Sequence, residues 1–242
     1  KDMHLVVMCG MSAVFSALFG TPLTAAFFAM EVISIGVIYY AGLVPCIVSS
    51  LTAYFISLLF GAHPVHFDLT FVPDLQPLIC LQIILLAALC AVLSIFFCAV
   101  MHASHHKLEH WIPNPYLRAA AGGAVIIALT LLLGTTAYNG AGMDVVESAI
   151  AGTARPEAFL LKILFTAITI GCGFKGGEIV PTIFIGATFG AALSLLLGLP
   201  LGFGAAVGIS ALLCGVTNCP LATIFLSVEL FGSEGLVFYT LS

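Results

Sequence analysis

The chain has 242 residues, of which 62% are hydrophobic and only 7% are charged. Because soluble domains carry about 25% charged residues, this composition excludes an ordinary water-soluble protein and predicts an integral membrane protein. Six Lys and Arg residues and a formal net charge of −5 provide too few positive charges for a nucleic-acid surface, so we expect no nucleic-acid partner.

Apolar segments follow one another along the chain and predict an all-α protein that crosses the bilayer several times. They fall near residues 5–19, 22–40, 41–60, 77–101, 117–134, 158–171, 181–198, 201–216 and 220–232. A helix needs about 20 residues to cross a hydrocarbon core of about 30 Å, and several of these segments are shorter. We therefore expect tilted, broken and partial helices.

Turn-forming residues interrupt the apolar sequence at three places, which are residues 20–22, 176–178 and 218–220. Broken helices are tolerated at membrane depth only where protein or a water-filled cavity shelters the backbone. This pattern favours the core of a transporter or channel over a simple bundle of receptor helices.

The polar connections between the apolar segments indicate an orientation. Residues 102–118 contain Lys107, Arg118 and four histidines, and positive charge favours the cytoplasmic side. Residues 62–76 and 139–157 are acidic instead, and we expect both on the opposite side. Their acidic residues are Asp68, Asp74, Asp144, Glu147 and Glu157.

A glycine-rich turn and a carboxylate precede an apolar helix within residues 171–190. Gly176 and Gly177 free the backbone, and Pro181 is a residue type expected in a first helical turn. A helix N-terminus inside a bilayer is a ready anion site, but Glu178 places a negative charge there. Either Glu178 caps its helix, which contributes about 0.3–1 kcal/mol, or it acts in function, as intramembrane carboxylates commonly do. The position of the turn favours function.

Two stretches near the ends of the chain repeat each other with an offset of 198 residues. Matching residues are Gly10, Ser12, Ala13, Pro22, Leu23, Phe27 and Glu31 in the first, and Gly208, Ser210, Ala211, Pro220, Leu221, Phe225 and Glu229 in the second. Secondary transporters are often built from two related halves with the substrate site between them. The two glutamates end apolar helices, and their matching positions favour a shared structural role.

The repeat also predicts the domain organisation. Residues 1–40 would be the end of a first half-repeat, and residues 41–242 would form the second half. At the same offset, the counterpart of the Glu178 turn would lie upstream of Lys1. We therefore expect a longer protein, in which the upstream part supplies one wall of the ion pathway.

Three motifs in register resemble the CLC family of chloride channels and anion/proton antiporters. They are Pro22-Leu23 to Glu31, the turn Gly177 to Pro181 followed by Gly186-Ala187, and Pro220-Leu221 to Glu229. The resemblance implies an inverted-repeat fold, a homodimer with one pore in each subunit, and no enzymatic activity or cofactor. It also implies an anion pathway at Gly177, Glu178, Ile179, Val180, Pro181 and Thr182. A multi-pass protein of a bacterial plasma membrane is expected.

Three positions depart from the common CLC pattern. Ile179 stands where the anion-contacting turn usually has Phe. The inner proton glutamate of the antiporters would fall one residue after Glu31, where the sequence has Val32. The tyrosine that closes the chloride site would fall five residues after Glu229, where the sequence has Glu234. These substitutions argue against an ordinary chloride/proton antiporter.

The departures resemble the fluoride-transporting branch of the family, which also carries a carboxylate on this turn. Fluoride accepts hydrogen bonds strongly, and a protonated Glu178 would be a donor; low-dielectric walls favour the protonated form. We therefore expect fluoride/proton antiport, that is fluoride export, with Glu178 as the proton-coupling candidate. The alternative is a chloride/proton antiporter or a voltage-gated chloride channel of the same fold.

Several residues are weaker candidates. Thr182 could offer its hydroxyl to an anion or bond its own helix. Glu234 and Tyr239 could line the pathway near the end of the chain. The histidines of residues 102–110 have spacings that could hold zinc, which leaves a membrane metalloprotein as a remote alternative and solvated histidines as the favoured interpretation. A structural subunit that needs a partner to complete a pore is another alternative.

Overall fold

The computed structural model describes residues 2–33, 38–62, 64–67, 69 and 71–242. Within these ranges the regular structure is helical, as the sequence predicts, and they contain no strand. The helices are α1 (Asp2–Phe19), α2 (Pro22–Glu31), α3 (Leu43–Leu59), α4 (Pro77–Trp111), α5 (Pro115–Leu133), α6 (Met143–Ile150), α7 (Ala158–Gly171), α8 (Ile179–Leu197), α9 (Leu201–Thr217), α10 (Pro220–Phe231) and α11 (Leu236–Leu241).

The chain divides into two compact units. Unit 1 comprises Lys1–Val72 and Thr217–Leu241, and unit 2 comprises Pro73–Val216 with Ser242. Four helical segments are long and apolar enough to cross a membrane, and they are Tyr40–Leu59, Pro77–Trp111, Pro115–Leu133 and Ile179–Leu197. The division into units differs from the predicted half-repeats, which remain a prediction.

In unit 1, α1, α2 and α3 pack against one another, and α10 packs against α2. The predicted breaks at residues 20–22 and 218–220 are both present. Gly20 has φ +72° and Asn218 has φ +54°, a left-handed conformation that Gly and Asn adopt at lower cost than other residues. A proline then opens the following helix at its first position in α2 and in α10, where its missing N–H has no partner to lose.

The predicted apolar segment 22–40 is broken within its length, because α2 ends at Glu31. Val32 and Ile33 follow as a turn, and a short 3₁₀ helix over Tyr40–Gly42 leads into α3. Residues 34–37 lie outside the described residues. Hydropathy alone could not place this break, since the residues on both sides of it are apolar.

In unit 2, the 35 residues of α4 span roughly 52 Å at 1.5 Å per residue, which exceeds the hydrocarbon core of about 30 Å. Most of the predicted polar connection over residues 102–118 is helical. Helix α4 continues to Trp111, and α5 begins at Pro115, with Asn114 accepting a hydrogen bond from the Tyr116 N–H at 3.0 Å. Lys, His and Leu are compatible with a helix, and Pro113 prevents α4 from continuing.

The predicted acidic connection over residues 139–157 also contains a helix, α6, whose short length escaped the hydropathy pattern. Asp68 of the other acidic connection lies outside the described residues. The side of the membrane on which each connection lies stays a prediction.

Helices α8 and α9 approach very closely through glycines. A Cβ added to Gly190 would meet the Gly204 carbonyl oxygen, and one added to Gly208 would meet the Gly186 oxygen. Such small residues let membrane helices pack backbone to backbone. Beside this contact a buried cluster joins α4, α7, α8 and α9, and its members include Phe97, Ile163, Ile185 and Leu212. The middle of α8 is therefore packed tightly against its neighbouring helices.

Candidate functional site

The glycine-rich turn leads into α8 as the sequence predicts. Residues 174–177 are irregular and exposed, Glu178 is the N-cap residue with φ −93°, and the helix begins at Ile179. Pro181 is the third residue of α8, within the first turn. The Glu178 side chain is exposed, whereas α8 from Thr182 to Thr188 is buried. The turn thus presents its carboxylate at the open end of a buried helix.

Two backbone donors lie unused beside this carboxylate. The N–H groups of Ile179 and Val180 have no acceptor among the described residues, as expected for the first residues of a helix. The Glu178 carbonyl accepts from the Thr182 N–H at 3.0 Å. The helix end therefore offers two N–H groups and a partial positive charge to an incoming anion.

The Glu178 side chain does not cap its own helix by a hydrogen bond. It makes no hydrogen bond to the first turn of α8, so any capping effect of Glu178 is limited to its charge at the helix N-terminus. The Thr182 hydroxyl, by contrast, donates to the Glu178 carbonyl at 2.7 Å, which is the second of the two interpretations considered for it. The carboxylate is thus available to other partners, and the Thr182 hydroxyl is engaged within the helix.

A positive charge lies near the beginning of the same turn. The Arg118 side chain is buried, and its Nη2 lies 3.6 Å from the position that a Cβ on Gly173 would take. Burial raises the pKa of the neighbouring Cys172 thiol, while the Arg118 guanidinium acts to lower it. Arg118 therefore adds to the positive potential of the turn.

A second buried cation, Lys162 of α7, was missed by the sequence analysis. Only 2% of Lys162 is exposed, and its ammonium donates to backbone carbonyls of the segment between α5 and α6. It also lies 4.7 Å from the ring centroid of Phe184 in α8. A lone charge in the apolar run 158–171 was the available signal, because intramembrane ionisable residues are functional candidates by default.

In unit 1, the two repeat-related glutamates cap each other's helices. Glu229, near the end of α10, accepts from the N–H groups of Leu23 and Thr24 at 3.1 and 2.9 Å, and from the Thr24 hydroxyl at 2.6 Å. Glu31, at the end of α2, accepts from the N–H groups of Leu221 and Ala222 at 3.3 and 2.9 Å. Each carboxylate satisfies unpaired donors at the start of the other helix.

The weaker candidates Glu234 and Tyr239 lie together in unit 1, whereas Glu178 lies in unit 2. Tyr239 is buried and packs on Phe231 with ring centroids 6.1 Å apart. Burial, and next the negative charge of the exposed Glu234, raise the pKa of the Tyr239 phenol. Their role in a pathway stays a prediction.

The four histidines of residues 102–110 are exposed on the last turns of α4. The ring of His105 approaches Glu109 at 4.0 Å, one helical turn away. The described residues contain no group of three or more His, Cys, Asp or Glu side chains placed to hold a metal ion. The geometry thus gives the metalloprotein alternative no support.

Comparison with protein families matches the voltage gated chloride channel family over residues 1–242. A "Chloride/fluoride channel protein" of Pseudomonas syringae pv. tomato is 34% identical over 97% of this chain and 53% of its own length. A "Voltage-gated ClC-type chloride channel ClcB" of Escherichia coli is 29% identical over 98% of this chain and 59% of its own length.

Among solved structures, the crystal structure of a CLC-type fluoride/proton antiporter superposes with a TM-score of 0.94 at 30% identity. It is matched over 98% of this chain and 60% of that chain. The chain thus spans somewhat more than half the length of the proteins that it matches. The predicted fold, with its broken and partial helices, is confirmed.

Proposed function

The chain belongs to the voltage gated chloride channel family, and from this premise we propose that it carries out transmembrane anion transport as a fluoride/proton antiporter that exports fluoride. It is an integral membrane protein of bacterial type. The proposed partners are fluoride, protons and a second copy of the chain in a homodimer. An ion transporter of this kind is not an enzyme.

One observation carries the proposal, and it is the composition of the N-terminal end of α8. The free N–H groups of Ile179 and Val180 can hold an anion, while Glu178 offers a carboxylate at the same place without capping the helix. An ionised carboxylate would repel the anion. A protonated one would donate a third hydrogen bond, so anion and proton would be coupled at one helix end.

Fluoride is the anion that this arrangement suits best. Its charge is concentrated, and it accepts short, strong hydrogen bonds, so it gains more than chloride from three convergent donors. Ile179 in place of the usual Phe, together with Val32 and Glu234 at the other departing positions, fits this selectivity. Similarity to a protein named a chloride/fluoride channel and to a fluoride/proton antiporter supports it further.

A chloride/proton antiporter or a voltage-gated chloride channel is the second candidate. It is favoured by the 29% identity to the Escherichia coli ClC-type chloride channel. The two candidates differ in anion preference and in proton coupling, so one flux experiment separates them.

The test uses the full-length protein reconstituted in liposomes loaded with fluoride or with chloride. We expect fluoride efflux to exceed chloride efflux by at least tenfold and to be accompanied by proton uptake. Equal chloride efflux would contradict fluoride selectivity, and efflux without proton movement would contradict antiport.

In the same experiment Glu178→Gln keeps the shape of the side chain but removes the exchangeable acid. We expect it to lower the fluoride rate or the number of protons moved per fluoride. The exposed Glu147→Gln serves as the control and is expected to behave like the wild type. Wild-type transport and coupling in Glu178→Gln would remove the proposed proton role.

A further inference from the structure

We propose that the buried ammonium of Lys162 is a fixed positive charge that sets the affinity of the α8 site for its anion, and that Lys162 is therefore an electrostatic positioning residue. The inference rests on the proposed function, since it assumes that the N-terminal end of α8 binds the transported anion. It adds a residue that none of the family motifs in the sequence contains.

The contacts of Lys162 are made entirely with neutral groups. Its Nζ donates to the carbonyl oxygens of Tyr138 at 3.2 Å, Gly140 at 2.6 Å and Ala141 at 3.4 Å. The ring of Phe184 lies 4.7 Å away and adds a cation–π contact. Three carbonyl acceptors match the three N–H groups of an ammonium, so this geometry fits a charged Lys162 side chain.

No carboxylate of the described residues compensates this charge locally. Among residues 2–33, 38–62, 64–67, 69 and 71–242, none places a carboxylate oxygen within 4.0 Å of the Lys162 nitrogen. A buried cation is costly unless it is paired. The carbonyl cage solvates Lys162, yet one full positive charge remains for any anion nearby.

The charge lies deep in unit 2 and close to the start of α8. Ile163, the next residue, packs in one cluster with Leu93 and Phe97, which lie near the middle of the 35-residue α4. Phe184 is the sixth residue of α8, so it follows Glu178 by roughly 9 Å along the helix axis. The ammonium thus lies beside the second turn of α8, on the order of 10 Å from the N–H groups of the first turn.

A structural role alone is the competing explanation. Residues 134–142 are not helical, and Lys162 donates hydrogen bonds to three of their carbonyl groups. Carbonyl groups without hydrogen-bond donors would cost free energy at membrane depth. Neutral donors such as a glutamine amide could serve part of this role, however. Charge therefore distinguishes the two explanations.

The size of the effect follows from Coulomb's law. At roughly 12 Å and an effective dielectric constant of about 20, one unit charge changes the affinity for a monovalent anion roughly tenfold. Salt screens buried charges much less than exposed ones, so the effect should persist at physiological ionic strength.

The first experiment compares Lys162→Arg, Lys162→Gln and Lys162→Met in liposomes made with the full-length protein. We expect Lys162→Arg to keep a KM for fluoride within about threefold of the wild type. We expect Lys162→Gln and Lys162→Met to raise KM by about three- to tenfold with a smaller change in kcat. The exposed Lys107→Gln is the matched control and should leave KM unchanged.

A second pair of variants leaves Lys162 and its hydrogen bonds in place, in case its substitution prevents folding. Ala141 is exposed, and its carbonyl accepts from Lys162, so Ala141→Asp would place a negative charge beside the ammonium. We expect Ala141→Asp to raise KM for fluoride by about three- to tenfold, and the neutral Ala141→Asn of nearly equal size to leave KM unchanged.

The outcomes separate this inference from the proposed function. Absence of anion flux in the wild type would contradict the proposed function itself. If the wild type transports fluoride, two results would overturn the role of the charge. One is a KM of Lys162→Gln equal to that of the wild type, and the other is a wild-type KM in both Ala141→Asp and Ala141→Asn. A loss of kcat at constant KM would likewise assign Lys162 to structure alone.

Discussion

Glu178 and Lys162 show how differently a membrane protein can hold a charge. Glu178 is exposed at the start of α8 and makes no capping bond, so its carboxylate can turn toward other partners. Lys162 is buried, and three carbonyls and an aromatic ring fix it. The first side chain is accessible to solvent, and the second is fixed by its surroundings.

Thr182 provides a test at the residue scale. Because its hydroxyl donates to the Glu178 carbonyl at 2.7 Å, Thr182→Val should remove one local hydrogen bond and cost about 0.5–1.5 kcal/mol of stability. We expect KM for fluoride to stay within about twofold of the wild type. Thr188→Val is the control, since the Thr188 hydroxyl donates to the Phe184 carbonyl at 2.8 Å in the same helix.

Thermal unfolding and fluoride flux measured on both variants would check this expectation. A much larger rise of KM in Thr182→Val than in Thr188→Val would contradict it, because the Thr182 hydroxyl would then have to turn toward the anion during transport.

At the scale of elements, α2 and α10 form an antiparallel pair in which repeat-related residues meet. Phe27 and Phe225 stack with ring centroids 4.4 Å apart, and the offset of 198 residues relates them. Glu31 and Glu229 obey the same offset, and each caps the opposite helix. The matched positions in the sequence thus correspond to matched contacts in unit 1.

Removing one cap should destabilise the pair. Glu229→Gln would replace three charge-assisted hydrogen bonds by weaker neutral ones, and hydrogen bonds to charged groups contribute about 1.5–3 kcal/mol each. Since the amide oxygen still accepts, we expect a loss of roughly 1–3 kcal/mol. Glu31→Gln should behave similarly with a smaller effect, because its two bonds are longer on average.

Thermal unfolding in detergent would measure both variants against Glu147→Gln, whose side chain is exposed. Unfolding temperatures equal to that of the control would show that the two caps contribute little to stability.

At the scale of the whole molecule, the long apolar helices define a multi-pass membrane protein. With 35 residues, helix α4 is longer than the hydrocarbon core is thick, so we expect its histidine-bearing end at residues 102–111 to reach the membrane surface. Trp111 and Tyr116 are exposed there, as aromatic side chains often are at a membrane interface.

The orientation predicted from the connections can be tested by labelling. Glu109→Cys should react with a membrane-impermeant maleimide only from the cytoplasmic side, and Glu157→Cys only from the opposite side, because positive charge favours the cytoplasm. Both positions are exposed. Both substitutions would be made in a variant in which every native cysteine that reacts with the maleimide is replaced by serine. Labelling of both positions from one side would contradict the predicted orientation.

Much of the architecture could be predicted because its signals are local. Hydropathy located the apolar helices, and α7 matches its predicted bounds of 158–171. Glycine, asparagine and proline marked the breaks before α2 and α10, since only certain residues adopt the required backbone angles. The end of α2 at Glu31 and the continuation of α4 to Trp111 were missed, because hydropathy does not report where a helix ends.

Local sequence patterns are enough to reveal the membrane environment, the repeated motifs and the glycine-rich turn that presents Glu178. The groups that those side chains contact depend on how the chain folds. Glu31 and Glu229 reach donors about 190 and 205 residues away, and Lys162 is held by carbonyls of a segment with no regular structure. Composition and spacing report on residues that are near one another in sequence. The hydrogen-bond partners of a buried polar group can come from any segment that the fold places next to it.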